Sequence, residues 1–322
     1  MTLAGKRVLI TGGAGFIGSQ IAELLAAEQV SQLVCLDNMV RGRPENLAAA
    51  GPHRLVEGDI RDQALLDRLV AESDLVFHMA ALRITQCAAE PAHGFEVMAK
   101  ATFDLLESCV KHKVEKVVAA SSASIYGLAD HFPTTESGHP YANRTLYGAF
   151  KMFNEGLLRS FNDMYGLSYC AMRYFNVYGP RMDIHGKYTE VLIRWMERIE
   201  QGLPPIIFGD GLQTMDFVHV RDIAAANVAA AKADASDEVF NVASGTETSL
   251  LQLAQGLLAA MGRSDLAIEH APERSVNPVP RRLADTSKAE RLLGFKTTIG
   301  LEEGLRELVA WWRQERQAAA AQ

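Results

Sequence analysis

The segment Val8-Leu9-Ile10-Thr11-Gly12-Gly13-Ala14-Gly15-Phe16-Ile17-Gly18 limits the possible folds of this chain more than any other. An apolar run ends in Gly12, Gly15 and Gly18, and beyond them Ile21, Leu24 and Leu25 recur at helical spacing, so a strand passes through glycine into a helix. Gly12 suits the tight turn, Gly15 lets a pyrophosphate approach backbone N–H groups, and Gly18 lets the helix pack closely on the sheet. The helix opening at Phe16 and Ile17 directs its positive end at an anion. A glycine turn of this kind can also merely connect packed elements. The acid that follows separates the two readings: Asp37 ends the next apolar run, at the roughly twenty-residue distance where a carboxylate meets the hydroxyls of an adenosine ribose. Its charge repels a 2′-phosphate, so NAD is expected over NADP, with Asn38 on the same rim, although Arg41 and Arg7 pull the other way.

Further apolar runs keep this cadence: Leu33–Leu36, Leu75–His78, Val117–Ala120 and Ser168–Arg173, with helix-period segments between them. Strands apolar on consecutive positions suit a sheet covered on both faces. The expected fold is therefore α/β: a Rossmann-like doubly wound parallel sheet with a smaller mixed α/β substrate-binding lobe. The pattern changes near Tyr178, and a Pro- and Gly-bearing stretch spans 202–211. Residues 1–177 are assigned to the cofactor domain, which receives later segments near 214–244, and 178–322 mainly to the second lobe. The Ala-rich run from Ala224 to Ala235, broken by Asn227, Lys232 and Asp234, reads as an exposed helix, and Gln317–Gln322 as a frayed helix end.

Composition narrows the function classes. A net charge of −7 and a pI near 5.8 speak against a nonspecific nucleic-acid surface, which needs clustered Lys and Arg. The four cysteines, Cys35, Cys87, Cys109 and Cys170, form no C-x-x-C pair, so no metal site and no disulfide framework are expected. No run reaches the roughly 18 apolar residues of a membrane span, and the start lacks the pattern of a signal peptide. A cytoplasmic protein without membrane attachment is the expectation.

Later motifs add chemistry. Asp59 and Ile60 follow the third strand, where Asp59 could meet the adenine amino group or cap the next helix. His78 reads as a hydrogen-bonded strand-end residue, and Ala80 as a small residue that leaves room for the cofactor. The fifth strand runs into Ser121-Ser122-Ala123-Ser124, and Tyr147 and Lys151 stand one helical turn apart on an amphipathic segment. At that spacing the lysine ammonium can stabilise a tyrosinate and bring a pKa of roughly 10 toward neutrality. Ser122, at the carboxyl end of a parallel strand, sits where ligands of open α/β sheets gather.

The glycine loop, Asp37, the strand-end serine and Tyr147-x-x-x-Lys151, in this order and across nearly the whole chain, resemble the extended short-chain dehydrogenase/reductase family, and within it the UDP-hexose 4-epimerases. The resemblance implies that NAD takes hydrogen from C4 of a UDP-sugar and returns it within one turnover. Tyr147 then acts as the proton acceptor, directly or through Ser122, with Lys151 as the third catalytic residue. It places Arg83, Ser122, Ser124, Tyr147, Asn176, Val191 and Arg274 at the substrate: Asn176 in Arg173-Tyr174-Phe175-Asn176 at the diphosphate and sugar, Arg274 at the diphosphate and Val191 near the uracil. UDP-N-acetylglucosamine and UDP-N-acetylgalactosamine, or UDP-glucose and UDP-galactose, are the implied pairs. A homodimer built from helices near Phe95–Cys109 and Phe150–Phe161 is also implied.

Departures from the family pattern matter. Ala123 and Ser124 stand where 4,6-dehydratases carry an Asp-Glu pair, which argues against dehydration. Met215 replaces an expected diphosphate arginine, and Met98 an expected asparagine, while Arg83 matches a lysine position. The residue limiting sugar size falls on Arg281 or Arg282. Either arginine could instead meet a sugar carboxylate, which keeps a UDP-uronic acid epimerase or decarboxylase open as an alternative. A noncatalytic nucleotide-sugar or NAD sensor is a third reading, against which the intact Ser122, Tyr147 and Lys151 weigh.

Overall fold

The computed structural model describes residues 1–184, 190–272 and 279–320. The first half of the chain lays down β1 (Arg7–Thr11), β2 (Gln32–Asp37), β3 (Arg54–Glu57), β4 (Leu75–His78), β5 (Lys116–Ser122) and β6 (Tyr169–Tyr174). Then follow β7 (Asn176–Tyr178), β8 (Ile206–Phe208), β9 (Thr214–His219), β10 (Glu238–Val242), β11 (Glu247–Ser249) and β12 (Glu269–Ala271). The helices of the first half are α1 (Phe16–Leu25), α2 (Gln63–Ala71), α3 (Ile84–Ala89), α4 (Pro91–Phe95), α5 (Ala101–Lys111) and α6 (Leu146–Tyr165). Those of the second are α7 (Val191–Glu200), α8 (Val220–Lys232), α9 (Leu250–Ala260), α10 (Ser287–Leu293) and α11 (Leu301–Ala320).

A seven-stranded sheet in the order β10-β6-β5-β4-β1-β2-β3 is parallel at every pairing. Alternate side chains of one strand feed two cores, which is why the sequence reads as continuous apolar runs. Val8 and Ile10 join Ile21, Leu25, Phe77, Ile223 and Phe240 on one face. Leu9 joins Val34, Leu36, Val76, Val117 and Tyr169 on the other. Strand order reverses between β1 and β4, so the crevice at their carboxyl ends is the switch point where ligands of doubly wound sheets sit.

The remaining strands form a three-stranded sheet, β11-β9-β7, and a two-stranded one, β12-β8. Of the 214–244 stretch, β10 enters the large sheet while β9 pairs with β7 and β11. A separate core of Trp195, Met196, Leu253, Leu257, Leu308 and Trp312 holds α7, α9 and α11 together, and Phe16 of α1 packs against it. The first turn of the nucleotide helix thus abuts the second lobe.

The Ala-rich helix differs from its expected placement. α8 buries Ile223, Ala224, Ala226, Asn227, Ala230 and Ala231, because its small side chains let it lie close on the sheet. Asn227 is tolerated there since its amide donates to the Ile223 carbonyl at 2.7 Å and its oxygen accepts from Tyr174 Oη at 2.8 Å. Left unpaired, a buried amide would cost about 1–3 kcal/mol.

Candidate active site

The glycine loop fits a dinucleotide for reasons visible in its backbone. Gly12 has φ +68°, and a Cβ there would stand 2.8 Å from the backbone nitrogen of Ala80, beyond β4. The two strand ends at the switch point therefore approach as closely as glycine permits. A Cβ at Gly18 would run into the Gly12 carbonyl oxygen. Gly15 is the N-cap of α1 and no side chain caps this end. The first N–H groups, at Phe16 and Ile17, are consequently left without a side-chain cap, as a site for an anionic pyrophosphate requires. Ile17 itself packs on the core beneath.

Asp37 is 7% exposed, and its carboxylate is aimed by two backbone donors, Ala14 N–H and Met39 N–H, each at 3.0 Å. Burial raises its pKa, opposed by these hydrogen bonds and by Arg41. Its remaining lone pairs suit two ribose hydroxyls. Asn38 lies close enough to Asp59 to help lower the pKa of its carboxyl. Asp59 does not cap α2; that cap is Asp62, which accepts from Leu65 N–H at 3.0 Å. Asp59 instead grips Arg61 at 2.7 and 3.0 Å, and this pair holds its pKa below the usual carboxylate range. Ile60 is buried beside it.

His78 is buried, with Nδ1 2.8 Å from Thr11 Oγ1 and Nε2 3.0 Å from Thr102 Oγ1. Thr102 donates to the Met98 carbonyl, so it accepts from His78 Nε2–H, and Nδ1 accepts from Thr11. Burial pulls the His78 pKa down to about 3, and the ring is a neutral tie between β1, β4 and α5.

Ser122 ends β5 in extended backbone and accepts from Ser124 N–H at 3.1 Å. Thr145 caps α6 through Gly148 N–H at 3.0 Å, and Gly148 lets the helix start press on the Ser124 carbonyl, where a Cβ would stand at 2.8 Å. This close approach places Tyr147, the residue before Gly148, beside Ser122. Burial raises the Tyr147 pKa, against the lowering expected from Lys151; Ser122, Arg41 and Arg282 oppose the rise without reversing it. Lys151 is 3% exposed; its Nζ lies 5.8 Å from the Tyr147 ring centroid and donates to the Ala120 carbonyl at 2.6 Å. Burial lowers its pKa to about 8. The structure therefore brings Ser122, Tyr147 and Lys151 together beside the switch point.

The residues expected at the substrate are less uniformly grouped. Ser124 is buried beside Ser122. Asn176 opens β7, and its side-chain oxygen is buried with no protein partner, as a ligand-facing amide would be. Arg83 pairs with Asp183 at 3.5 Å and Glu190 at 3.7 Å. Val191 is exposed at the first turn of α7. Arg274 lies outside the described residues. Arg281 points away, bound to Glu247 at 2.7 and 2.9 Å. Arg282 is the arginine electrostatically coupled to Tyr147, and its Nε has no partner. Met98, where the family resemblance leads to an expected asparagine, accepts Leu82 N–H on its sulfur at 3.1 Å.

Sequence reasoning did not find the roles of Arg41 or Cys87, both electrostatically coupled to Tyr147; neither belongs to a spaced motif that could have signalled it. Among the described residues no group of three His, Cys, Asp or Glu side chains could hold a metal, and no helix is long and apolar enough to cross a membrane.

Known proteins share this fold. UDP-glucose 4-epimerase of Mycolicibacterium smegmatis is 34% identical over 318 residues, covering 97% of this chain and all (100%) of that one. Among solved structures, UDP-N-acetylglucosamine 4-epimerase from Methanobrevibacter ruminantium in complex with UDP-N-acetylmuramic acid superimposes with a TM-score of 0.90 at 34% identity, covering 97% of this chain and 99% of that chain. UDP-glucose 4-epimerase of Thermus thermophilus in complex with NAD gives 0.83 at 32% identity, covering 95% and 99%. Residues 8–243, from β1 to just past β10, match the sequence profile of the NAD dependent epimerase/dehydratase family. With the glycine cradle at the switch point and a match over most of its length, this chain belongs to the NAD dependent epimerase/dehydratase family.

Proposed function

We propose that the protein inverts C4 of a UDP-hexose, plain or N-acetylated, through a transient 4-keto sugar. The placement of Tyr147 beside Ser122 and over a buried Lys151, next to the glycine cradle, carries this reading. When bound, NAD supplies a reversible two-electron acceptor for the carbinol carbon. Tyr147 takes the 4-hydroxyl proton directly or through Ser122, and Lys151 favours the phenolate by its charge. The ketone is planar at C4. Turning it about the diphosphate tether presents its other face, and Tyr147 returns the proton to O4. Asn176, Val191 and Arg274 hold the nucleotide end in this reading, and Arg83 with Ser124 the sugar. In this reading residues 1–177, receiving later segments near 214–244 such as β10, form the cofactor domain, and 178–322 mainly the nucleotide-sugar lobe.

One observation favours a variant of the substrate. Among the described residues Arg282 has no carboxylate partner, and its Nε is unbonded near Tyr147, although buried guanidinium groups are ordinarily paired. A sugar carboxylate would supply that partner, and UDP-glucuronic acid is the ligand of one structural relative, MoeE5, at 31% identity.

A homodimer is part of the proposal. Phe103, Met152, Phe153 and Met164 of α5 and α6, with Phe95 of α4, are large apolar side chains left exposed, and Phe103 stacks edge-on against Phe161 at 5.8 Å. The four cysteines are buried as free thiols, which suits a reducing cytoplasm.

Incubation with UDP-hexoses, their N-acetyl forms and UDP-uronic acids, with products resolved by NMR, tests the reading. A C4 epimer without net consumption of NAD supports it. Stoichiometric oxidation or reduction of added cofactor points to a simple reductase, and bound NAD with no conversion of any UDP-sugar points to a sensor.

A further inference from the structure

Behind the catalytic side chains lies a buried charge pair that the proton transfer does not use. Glu155 is one helical turn past Lys151 on α6, and Arg173 belongs to β6. They meet bidentately, Arg173 Nε to Oε1 at 2.9 Å and Nη2 to Oε2 at 2.6 Å, with side chains only 9% and 12% exposed. Oε1 also accepts from Ser121 Oγ at 2.5 Å, and Ser121 immediately precedes Ser122. Arg173 Nη1 reaches on to Tyr126 Oη and the Glu136 carbonyl, both at 2.8 Å. Tyr126 closes the turn that carries Ser124, and its hydroxyl donates to Asn241 of β10 at 2.7 Å. Asn241 in turn donates to the Asp285 carbonyl, three residues after Arg282. Lys151, Glu155 and Ser121 share the wall of one small cavity of about 10 Å³.

We propose that Glu155, held by Arg173, is a positioning residue of the reaction: it ties α6 to the end of β5 and so fixes Lys151 and Tyr147 against Ser122. The inference rests on the epimerase reading. Buried ion pairs contribute little net stability compared with packed apolar side chains, so stability alone is a weak reason for this one. Its placement is specific, because one carboxylate oxygen joins the strand bearing the catalytic hydroxyl to the helix bearing the phenol and the amine. Glu155 also acts on Lys151 electrostatically. The titratable groups facing that amine are His78 of β4, Cys87 of α3, and Tyr147 and Glu155 of α6. His78 is neutral, and burial disfavours the Cys87 thiolate. Glu155 is therefore the carboxylate that favours the ammonium form.

The experiment compares wild type, Glu155→Gln and the double replacement Glu155→Met/Arg173→Met by kcat, KM, NAD affinity and the pH profile of kcat. Glu155→Gln is expected to lower kcat by about a hundredfold, the size of effect that ångström-scale misplacement produces, with KM and NAD affinity unchanged. Its alkaline limb moves to lower pH, since Lys151 loses the carboxylate that supports its charge. The double replacement removes the buried charges together and is expected to fold while kcat stays low; it carries the test alone if Glu155→Gln does not fold. Wild-type kcat in a folded variant, with the alkaline limb unmoved, or recovery of kcat in the double replacement, overturns the proposal by reducing the pair to a structural contact. A wild-type protein that epimerises no UDP-hexose overturns the underlying reading before any variant is compared.

Discussion

Lys151 lies beneath Tyr147, its Nζ 5.8 Å from the ring centroid, while its hydrogen bond goes to the Ala120 carbonyl at 2.6 Å. The amine is thus anchored to the strand that ends in Ser122; in the proposed reaction it acts on the phenol through its charge, while Ser122, beside Tyr147, relays the proton.

Replacing the proton acceptor tests this division of labour. Tyr147→Phe should lower kcat by about 10²–10⁴, the usual range for a general acid–base group, and leave nucleotide binding nearly intact. Ser122→Ala should be milder if water can relay the proton, and the double replacement should be nearly inactive, because groups acting as a unit are not additive. Steady-state kinetics with NAD titration measures all three; wild-type turnover in Tyr147→Phe contradicts the assignment.

Lys151 sets an alkaline limit. Burial lowers its pKa to about 8, so the amine begins to lose its proton well below the ordinary lysine range. Turnover that needs the ammonium form should fall as pH rises through about 8, and kcat measured from pH 6 to 10 displays the limb. A rate constant still level at pH 10 would show that the charge is not required.

The glycine cradle predicts a binding defect. A Cβ at Gly18 would meet the Gly12 carbonyl oxygen, and overpacking of this kind costs about 1–3 kcal/mol, roughly tenfold to a hundredfold in affinity. Gly18→Ala should weaken NAD binding by that factor in calorimetry. Unchanged affinity would mean that the dinucleotide does not use this turn.

Two buried histidines make stability sensitive to mild acid. Burial depresses the pKa of His78 to about 3 and of His219 to about 4. The unfolded chain therefore binds protons that the folded one refuses, and the associated stability is complete above about pH 6.5 and lost progressively as pH falls toward those values. For His78 the loss at pH 5 is about 2 kcal/mol. Urea melts at pH 7.5, 6 and 5 should show the midpoint falling before most carboxylates titrate; a constant midpoint would mean that these rings are not buried in neutral form.

Much of the cofactor half was legible because its signals are local. Gly12, Gly15, Gly18 and Asp37 lie within one βαβ unit, and Tyr147 and Lys151 within one helical turn, so spacing alone announces their shared surface. The burial of α8 was not legible, since alanine is neutral in an amphipathic pattern and Asn227 looks exposed until Tyr174 is seen to pair with it. Arg281 and Arg282 could not be told apart for a similar reason. Their difference arises where the chain bridges to Thr214, sending one side chain to Glu247 and the other toward Tyr147. The Glu155–Arg173 pair spans two elements, and only folding shows that its carboxylate faces Ser121.

The central claim is that one hydrogen atom leaves C4 and comes back to the same carbon, and isotopic labelling follows it directly. A UDP-hexose carrying deuterium at C4, incubated with the holoenzyme in ordinary water, should yield a C4 epimer that retains the deuterium at C4 by mass spectrometry and NMR. An epimer with protium at C4, or loss of the label into solvent, would contradict the account.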